Sequence, residues 1–208
     1  MPVIAVDGPA ASGKGTIATA LASHFGLPHM DTGLLYRAVA LTLWRWGGDP
    51  GNEFEAVRAC QDMNLDLDDE ELRSEAVSRI ASAISAYPGV RAALLDRQRD
   101  FAAQAGGAVL DGRDIGTVIA PSADLKLFVT ASPEVRAQRR LAELEARGMH
   151  TTLKDVLEDI LVRDARDTER ATAPLQQAGD AVLLDTSDLD REAAIAQAIR
   201  IAEERFAR

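Results

Sequence analysis

Near the amino terminus a short apolar run, Val3-Ile4-Ala5-Val6, ends at Asp7 and is followed by Gly8-Pro9-Ala10-Ala11-Ser12-Gly13-Lys14-Gly15-Thr16. The apolar run reads as a buried strand. From Gly15 to Phe25, the residues Ile17, Ala20, Leu21 and Phe25 recur at helical spacing, and Gly26 supplies a stop. Glycines in the turn between strand and helix let the backbone wrap closely around a ligand. The turn amides and the helix amino terminus then offer oriented donors to an anion, and Lys14 adds a point charge. This setting, with Gly8, Gly13 and Lys14 in that spacing, is that of a phosphate-binding loop. Such a loop constrains the fold: it needs a sheet edge behind it and a helix in front of it.

The rest of the chain supplies them. Pro28–Met30, Ala108–Leu110, Leu125–Val129 and Ala181–Asp185 read as four further strands. Helices are expected at 34–46, 53–63, about 74–86, about 90–105 after a break at Pro88-Gly89, from Ser132-Pro133-Glu134 onward, from Leu153 towards Ala171, and from Asp190 to Arg208. Strands that alternate with helices predict an α/β fold, a three-layer sandwich whose five-stranded parallel sheet is covered by helices on both faces. Residues 33–105 hold only helices, which predicts a substrate-covering insert within one domain. The organisation expected is a single domain over 1–208, with a core of about 1–31 and 106–208 and an insert of about 32–105.

Composition narrows the function classes. The chain has 208 residues, 47% hydrophobic, which is enough for a real core and excludes a disordered tail protein. Its net charge of −10 has the wrong sign for general attraction to nucleic acid, so phosphate must be met locally. The single cysteine, Cys60, excludes an internal disulfide and a Cys-rich zinc site, and is expected as a small buried residue on a helix. No apolar run is long enough for a membrane span and no basic leader precedes Asp7, so a cytoplasmic protein is expected.

Several side chains then carry candidate chemistry. No asparagine is followed by lysine, so the guanine motif of a GTPase is missing, and the length suits a small-molecule kinase. Because Gly15 follows Lys14, the hydroxyl that usually meets Mg²⁺ is displaced to Thr16. Mg²⁺ is then expected to ride mainly on nucleotide oxygens and water, with Thr16 the nearest protein group and Asp111, at the end of its strand, a neighbour through water. Arg37 lies one helical turn after Gly33 and could grip a phosphate with both nitrogens. Arg113 sits just past the third strand, where open α/β sheets bind ligands. Arg163, Arg166 and Arg170 share a helix face, but Asp164 and Asp167 interleave with them, and on spacing alone a self-neutralised salt-bridge helix is the better reading. His24 and His29 are too isolated for a metal site. Trp44 and Trp46 are two apart on one helix, and at least one is expected in the core.

Gly-Lys-Gly-Thr, with glycine after the lysine, resembles the nucleoside monophosphate kinases. Asp31-Thr32-Gly33-Leu34-Leu35-Tyr36-Arg37, Tyr87-Pro88-Gly89-Val90-Arg91, Asp111-Gly112-Arg113-Asp114-Ile115-Gly116-Thr117, and Arg163-Asp164-Ala165-Arg166-Asp167-Thr168-Glu169-Arg170 with Ala173-Pro174-Leu175 resemble, in order and spacing, the bacterial cytidylate kinases from residue 3 to about 186. That resemblance implies ATP and Mg²⁺ as donor, CMP and dCMP as acceptors, a monomer, and no nucleic-acid or membrane partner. It assigns residues 8–16 to ATP, and Lys14, Arg37, Arg113 and Arg163 to the transferring phosphates. It assigns Thr32, Arg37, Ser82, Arg91, Arg113, Asp114, Arg163, Asp167 and Arg170 to CMP, and it makes 163–170 a lid. The family often has serine at the position of Thr32, and a longer insert where this chain crosses 64–74 quickly. Left open beside this reading are another P-loop kinase, acting on a neutral hydroxyl, and an ATP-binding regulator without turnover.

Overall fold

The computed structural model describes residues 2–207. Its five strands are β1 (Val3–Asp7), β2 (His29–Asp31), β3 (Ala108–Gly112), β4 (Leu125–Thr130) and β5 (Val182–Asp185). They form one sheet in the order β2-β3-β1-β4-β5. β1 lies at the centre, parallel to β3 from Val3 opposite Ala108 to Asp7 opposite Gly112, and parallel to β4 from Ile4 opposite Leu125. β4 continues in parallel to β5, with Leu127 opposite Val182. Strands buried on both faces require apolar side chains at successive positions, and Ile4, Ala5 and Val6 are all fully buried. The expected α/β sandwich is therefore the fold that forms.

The chain divides into two compact units, one running up to Met30 and resuming at Ala102, the other Asp31–Phe101. In the first, α1 (Lys14–Phe25) packs on β1, β3 and α8 (Arg191–Phe206). Ile17 and Leu21 of α1 join Val6, Val109, Leu127, Val129, Leu184 and Ala198 in one core. A smaller cluster of Ala137, Leu144, Val156 and Ile160 joins α6 (Pro133–Ala146) to α7 (Leu153–Glu169).

The second unit is built around α2 (Thr32–Arg45), with α3 (Glu53–Asp62) and α4 (Glu75–Ile84) packed on it. Helix α5 (Pro88–Ala103) follows α4. Here the structure refines the sequence reading. Helix α2 starts at Thr32, earlier than expected, because the Asp31 carboxylate caps it by accepting from the Gly33 amide at 2.9 Å. The break between α4 and α5 falls just before Pro88-Gly89, which form the first turn of α5, since proline suits that position. Between α3 and α4, Asp69 caps a 3₁₀ turn at Glu70–Arg73, and Asp69 and Glu71 both accept from Arg45 at 2.7 Å. Trp44 and Trp46 are 53% and 46% exposed, so neither is core; the buried face of α2 is carried by Leu35, Val39 and Leu43. Cys60 is only partly buried. Among the described residues no helix is long and apolar enough to cross a membrane.

Candidate active site

The phosphate loop leaves the carboxyl end of β1 at the centre of the sheet. Gly8 has φ +156°, and a Cβ there would stand 2.0 Å from the Val129 carbonyl oxygen of β4, so the loop can pass this close only as glycine. Ala11 and Gly13 take left-handed conformations, φ +58° and +88°, which fold the loop back onto the start of α1. Gly13 caps α1 without a side-chain hydrogen bond, and the Ser12 hydroxyl is buried with no partner. A helix that begins on glycine, with no side chain over its first amides, leaves those donors directed at an incoming anion. Lys14 arches back over the loop and donates to the Pro9 carbonyl at 3.3 Å.

Two arginines on α6 support this loop from behind, and the sequence reading missed both. Arg136, almost fully buried, donates to the Ala10 carbonyl at 3.3 Å and grips Asp164 of α7 with both terminal nitrogens at 3.0 and 2.6 Å. Arg139 donates to Ser12 O at 3.5 Å and to Thr186 O at 2.6 Å, while the Thr186 hydroxyl donates to Ser12 O at 3.2 Å. Tying carbonyls outward orients the intervening amides inward. The available signal was the i, i+3 arginine spacing in a helix that starts at the carboxyl end of a strand.

Below the loop, Asp111 at the end of β3 is bonded to His29 at 2.8 Å, and its second oxygen lies 3.7 Å from where a Gly15 Cβ would be. His29 is therefore engaged with a carboxylate. Among the described residues no set of three or more His, Cys, Asp or Glu is arranged to hold a metal.

Beyond β3 the core unit gathers five of the expected residues. Arg113 Nε donates to Asp167 Oδ2 at 2.8 Å, and Arg170 Nη2 approaches Asp114 Oδ1 at 3.5 Å. Arg163 adds its charge to the field at Asp167. Burial alone would raise the Asp167 pKa, but Arg113, Arg163 and Arg170 together hold it below the usual carboxylate value. Asp164 and Asp167 thus also pair with arginines outside α7, Arg136 and Arg113. Arg166 is exposed. Asp7, the last residue of β1, accepts from the Ile115 and Gly116 amides at 2.8 and 2.7 Å.

The second unit gathers the other four around α2 and α4. Arg37 donates to the Leu72 carbonyl at 3.2 Å and to the Ser78 hydroxyl at 3.1 Å. Ser82 is buried one turn further along α4. Arg91 donates to the Ser85 carbonyl at 3.3 Å and lies 5.7 Å from the centre of the Tyr36 ring. Thr32 is buried in the first turn of α2.

Known proteins resemble this chain in fold and in sequence. Among solved structures, an uncharacterized protein from Eubacterium ventriosum superposes with TM-score 0.56 at 16% identity, covering 100% of this chain and 99% of that one. A gluconokinase from Sinorhizobium meliloti gives TM-score 0.53, also at 16%, over 99% and 96%. At such identity these show the fold alone. Similarity in sequence reaches further. The chain is 57% identical to a cytidylate kinase from Methylocella silvestris, over 97% of this chain and 94% of the other. It is 59% identical to one from Xanthobacter autotrophicus, over 99% of both. The profile of the cytidylate kinases matches residues 4–204, and the chain belongs to that family.

Proposed function

We propose that this protein transfers the γ-phosphoryl group of ATP to CMP and dCMP. The observation that carries the reading is the register of β1 on β3. Asp7 lies opposite Gly112, so the phosphate loop and the Arg113-Asp114 pair leave adjacent strand ends at the same level. That is where open α/β sheets place ligands, and here it offers one anion cradle beside a second cation paired with acids. Relatives named cytidylate kinase, more than half identical over nearly the whole chain, support the same reading over a hydroxyl-directed kinase or a silent ATP binder.

No general base is needed. A phosphate monoester has its second pKa near ~6, so the CMP oxygen attacks as an anion. The protein aligns the reactants and offsets charge. Residues 8–16 would hold the ATP phosphates, with Lys14 at the β- and γ-groups. Arg37, Arg113 and Arg163 would hold the oxygens that gain or pass charge. Thr32 and Asp114 would accept from the cytosine amino group, while Arg91 and Arg170 donate to its O2 and N3. Ser82, Arg163 and Asp167 would hold the sugar. Oxygen donors suit Mg²⁺, and Thr16 in the first turn of α1 would be the protein group nearest it; the ion would neutralise charge on the donor.

The test is ADP release from ATP and Mg²⁺ with CMP, dCMP, UMP, AMP and GMP in parallel. Turnover confined to CMP and dCMP is expected, because uracil would set its O4 against the Asp114 carboxylate. Turnover centred on UMP or AMP would discard this base pocket. We further propose a cytoplasmic monomer, which light scattering at assay concentration checks in its oligomeric part.

A further inference from the structure

Asp7 is assigned above to neither ATP nor CMP, yet it joins their two segments. It ends β1 directly before Gly8, it is 5% exposed, and its two carboxylate oxygens each accept one amide. Those amides belong to Ile115 and Gly116, which open the π-helical turn Ile115–Ile119 immediately after Arg113-Asp114. The donors cannot be replaced by water at so buried a position. One carboxylate therefore sets the distance and angle between the loop and the segment that bears Arg113 and Asp114.

We propose that Asp7 is a positioning residue for the acceptor: it holds Arg113 and Asp114 in register with the phosphate loop so that CMP is presented to the γ-phosphate. The proposal rests on the reading of Arg113 and Asp114 as CMP contacts. It predicts an asymmetry between the substrates. The phosphate loop keeps its own supports in Arg136, Arg139 and Thr186, which bond to Ala10 and Ser12. No comparable strut reaches the Ile115 and Gly116 amides apart from Asp7 in the hydrogen bonds described.

The charge of Asp7 gives a readout that simple packing lacks. Burial pushes its pKa up to about 6, against the two amide bonds, with Asp114 raising it further and Arg113 lowering it. From β4, Lys126 lays its stem along Gly116 and donates its ammonium to Asp180 at 2.8 Å. Ionised, Asp7 accepts both amides; protonated, it has one acceptor and one O–H, as asparagine has one acceptor and one NH₂. Acid should therefore make the wild-type protein resemble Asp7→Asn.

The experiment measures KM for CMP and for ATP in wild type and Asp7→Asn from about pH 8 to about pH 5.5. At the alkaline end KM for CMP should rise about tenfold, the order of one charge-assisted hydrogen bond, while KM for ATP stays within about twofold. The variant-to-wild-type ratio for CMP should then shrink as pH falls through about 6. CMP's own titration is common to both proteins and cancels in that ratio. A ratio that stays flat with pH, or an equal rise for ATP, overturns the proposal. Should Asp7→Asn fail to fold, Gly116→Ala replaces it, because its methyl would press on the Lys126 stem at 3.0 Å, beside Asp7 Oδ2 at 3.4 Å, and so push the turn off its carboxylate. It should raise KM for CMP more than for ATP, and no CMP-selective effect overturns the proposal. Asp114→Ala runs alongside: if that variant leaves CMP untouched, the underlying assignment has failed, whatever Asp7 does.

Discussion

Arg113 and Asp167 hold one another at 2.8 Å, joining the loop beyond β3 to the last turns of α7. Both side chains are largely buried, so each is the other's main compensation for lost water. Asp167 has its pKa lowered although burial opposes this, because Arg113, Arg163 and Arg170 surround it. A carboxylate with a depressed folded-state pKa lends stability above its unfolded value near ~3.9 and loses it as pH falls through the lower folded value. Asp167→Asn should therefore lower Tm at neutral pH, and the gap to wild type should close as pH falls below the ordinary carboxylate range. Thermal melts of the two proteins from neutral to strongly acid buffer check this.

Asp114 is buried and faces Arg170 at 3.5 Å. Asp114→Ala should raise KM for CMP by about tenfold or more and leave the affinity for ATP nearly unchanged, since a buried polar mismatch discriminates strongly. Equal losses for both nucleotides, measured by steady-state kinetics and ATP titration, would remove Asp114 from the base pocket.

Arg136 couples the phosphate loop to α7 through one guanidinium. Replacing Arg136 by Met should leave Asp164 without its partner and the Ala10 carbonyl without its donor, at about 2–4 kcal/mol. Asp164→Asn should cost less, because that side chain is partly exposed. In both variants KM for ATP should rise more than KM for CMP, the reverse of the Asp7 pattern. Chemical denaturation and kinetics on the same preparations supply both numbers.

Gly8→Ala should not give a folded protein at growth temperature. The added methyl would meet a backbone carbonyl of β4 at 2.0 Å in the middle of the sheet, where no side chain can move aside. Soluble yield and circular dichroism decide it; Gly26→Ala, whose Cβ meets nothing within 4 Å, is the control for left-handed strain alone.

Asp7 gives the opposite pH sign to Asp167. Its folded pKa of about 6 lies above the unfolded value, so its contribution to stability is full below about pH 4 and is lost as pH rises through about 6. The Tm of wild type relative to Asp7→Asn should therefore decline across that interval. A gap that does not move would mean that Asp7 is not carrying the proton.

The sheet and the phosphate loop could be read from sequence because each is local: a four-residue apolar run, a glycine spacing and a lysine lie within one turn of chain. The elements were legible to within about two residues, with Asp31 shifting the start of α2 and Pro88 the start of α5. Arg113 and Asp167 could be named separately, but their bond could not, since fifty-four residues separate them. Arg136 and Arg139 were hidden for the same reason: their partners lie in the phosphate loop, α7 and the end of β5. Asp7 looked like the end of a strand until Ile115 and Gly116 were seen to donate to it. Trp44 and Trp46 stand two apart near the end of one helix, yet both are exposed, because smaller side chains fill that helix's inner face.

The position of β1 has a consequence for synthesis. The central strand leaves the ribosome well before its two neighbours, which begin at Ala108 and Leu125. Until then Ile4, Ala5 and Val6 have no strand to lie beside, and long-range parallel pairing is slow even once the partners exist. The helices of Asp31–Phe101 emerge in between, with short connections and neighbours close in sequence. They are equipped to collapse first, while β1 waits for about a hundred residues of synthesis before its first neighbouring strand exists.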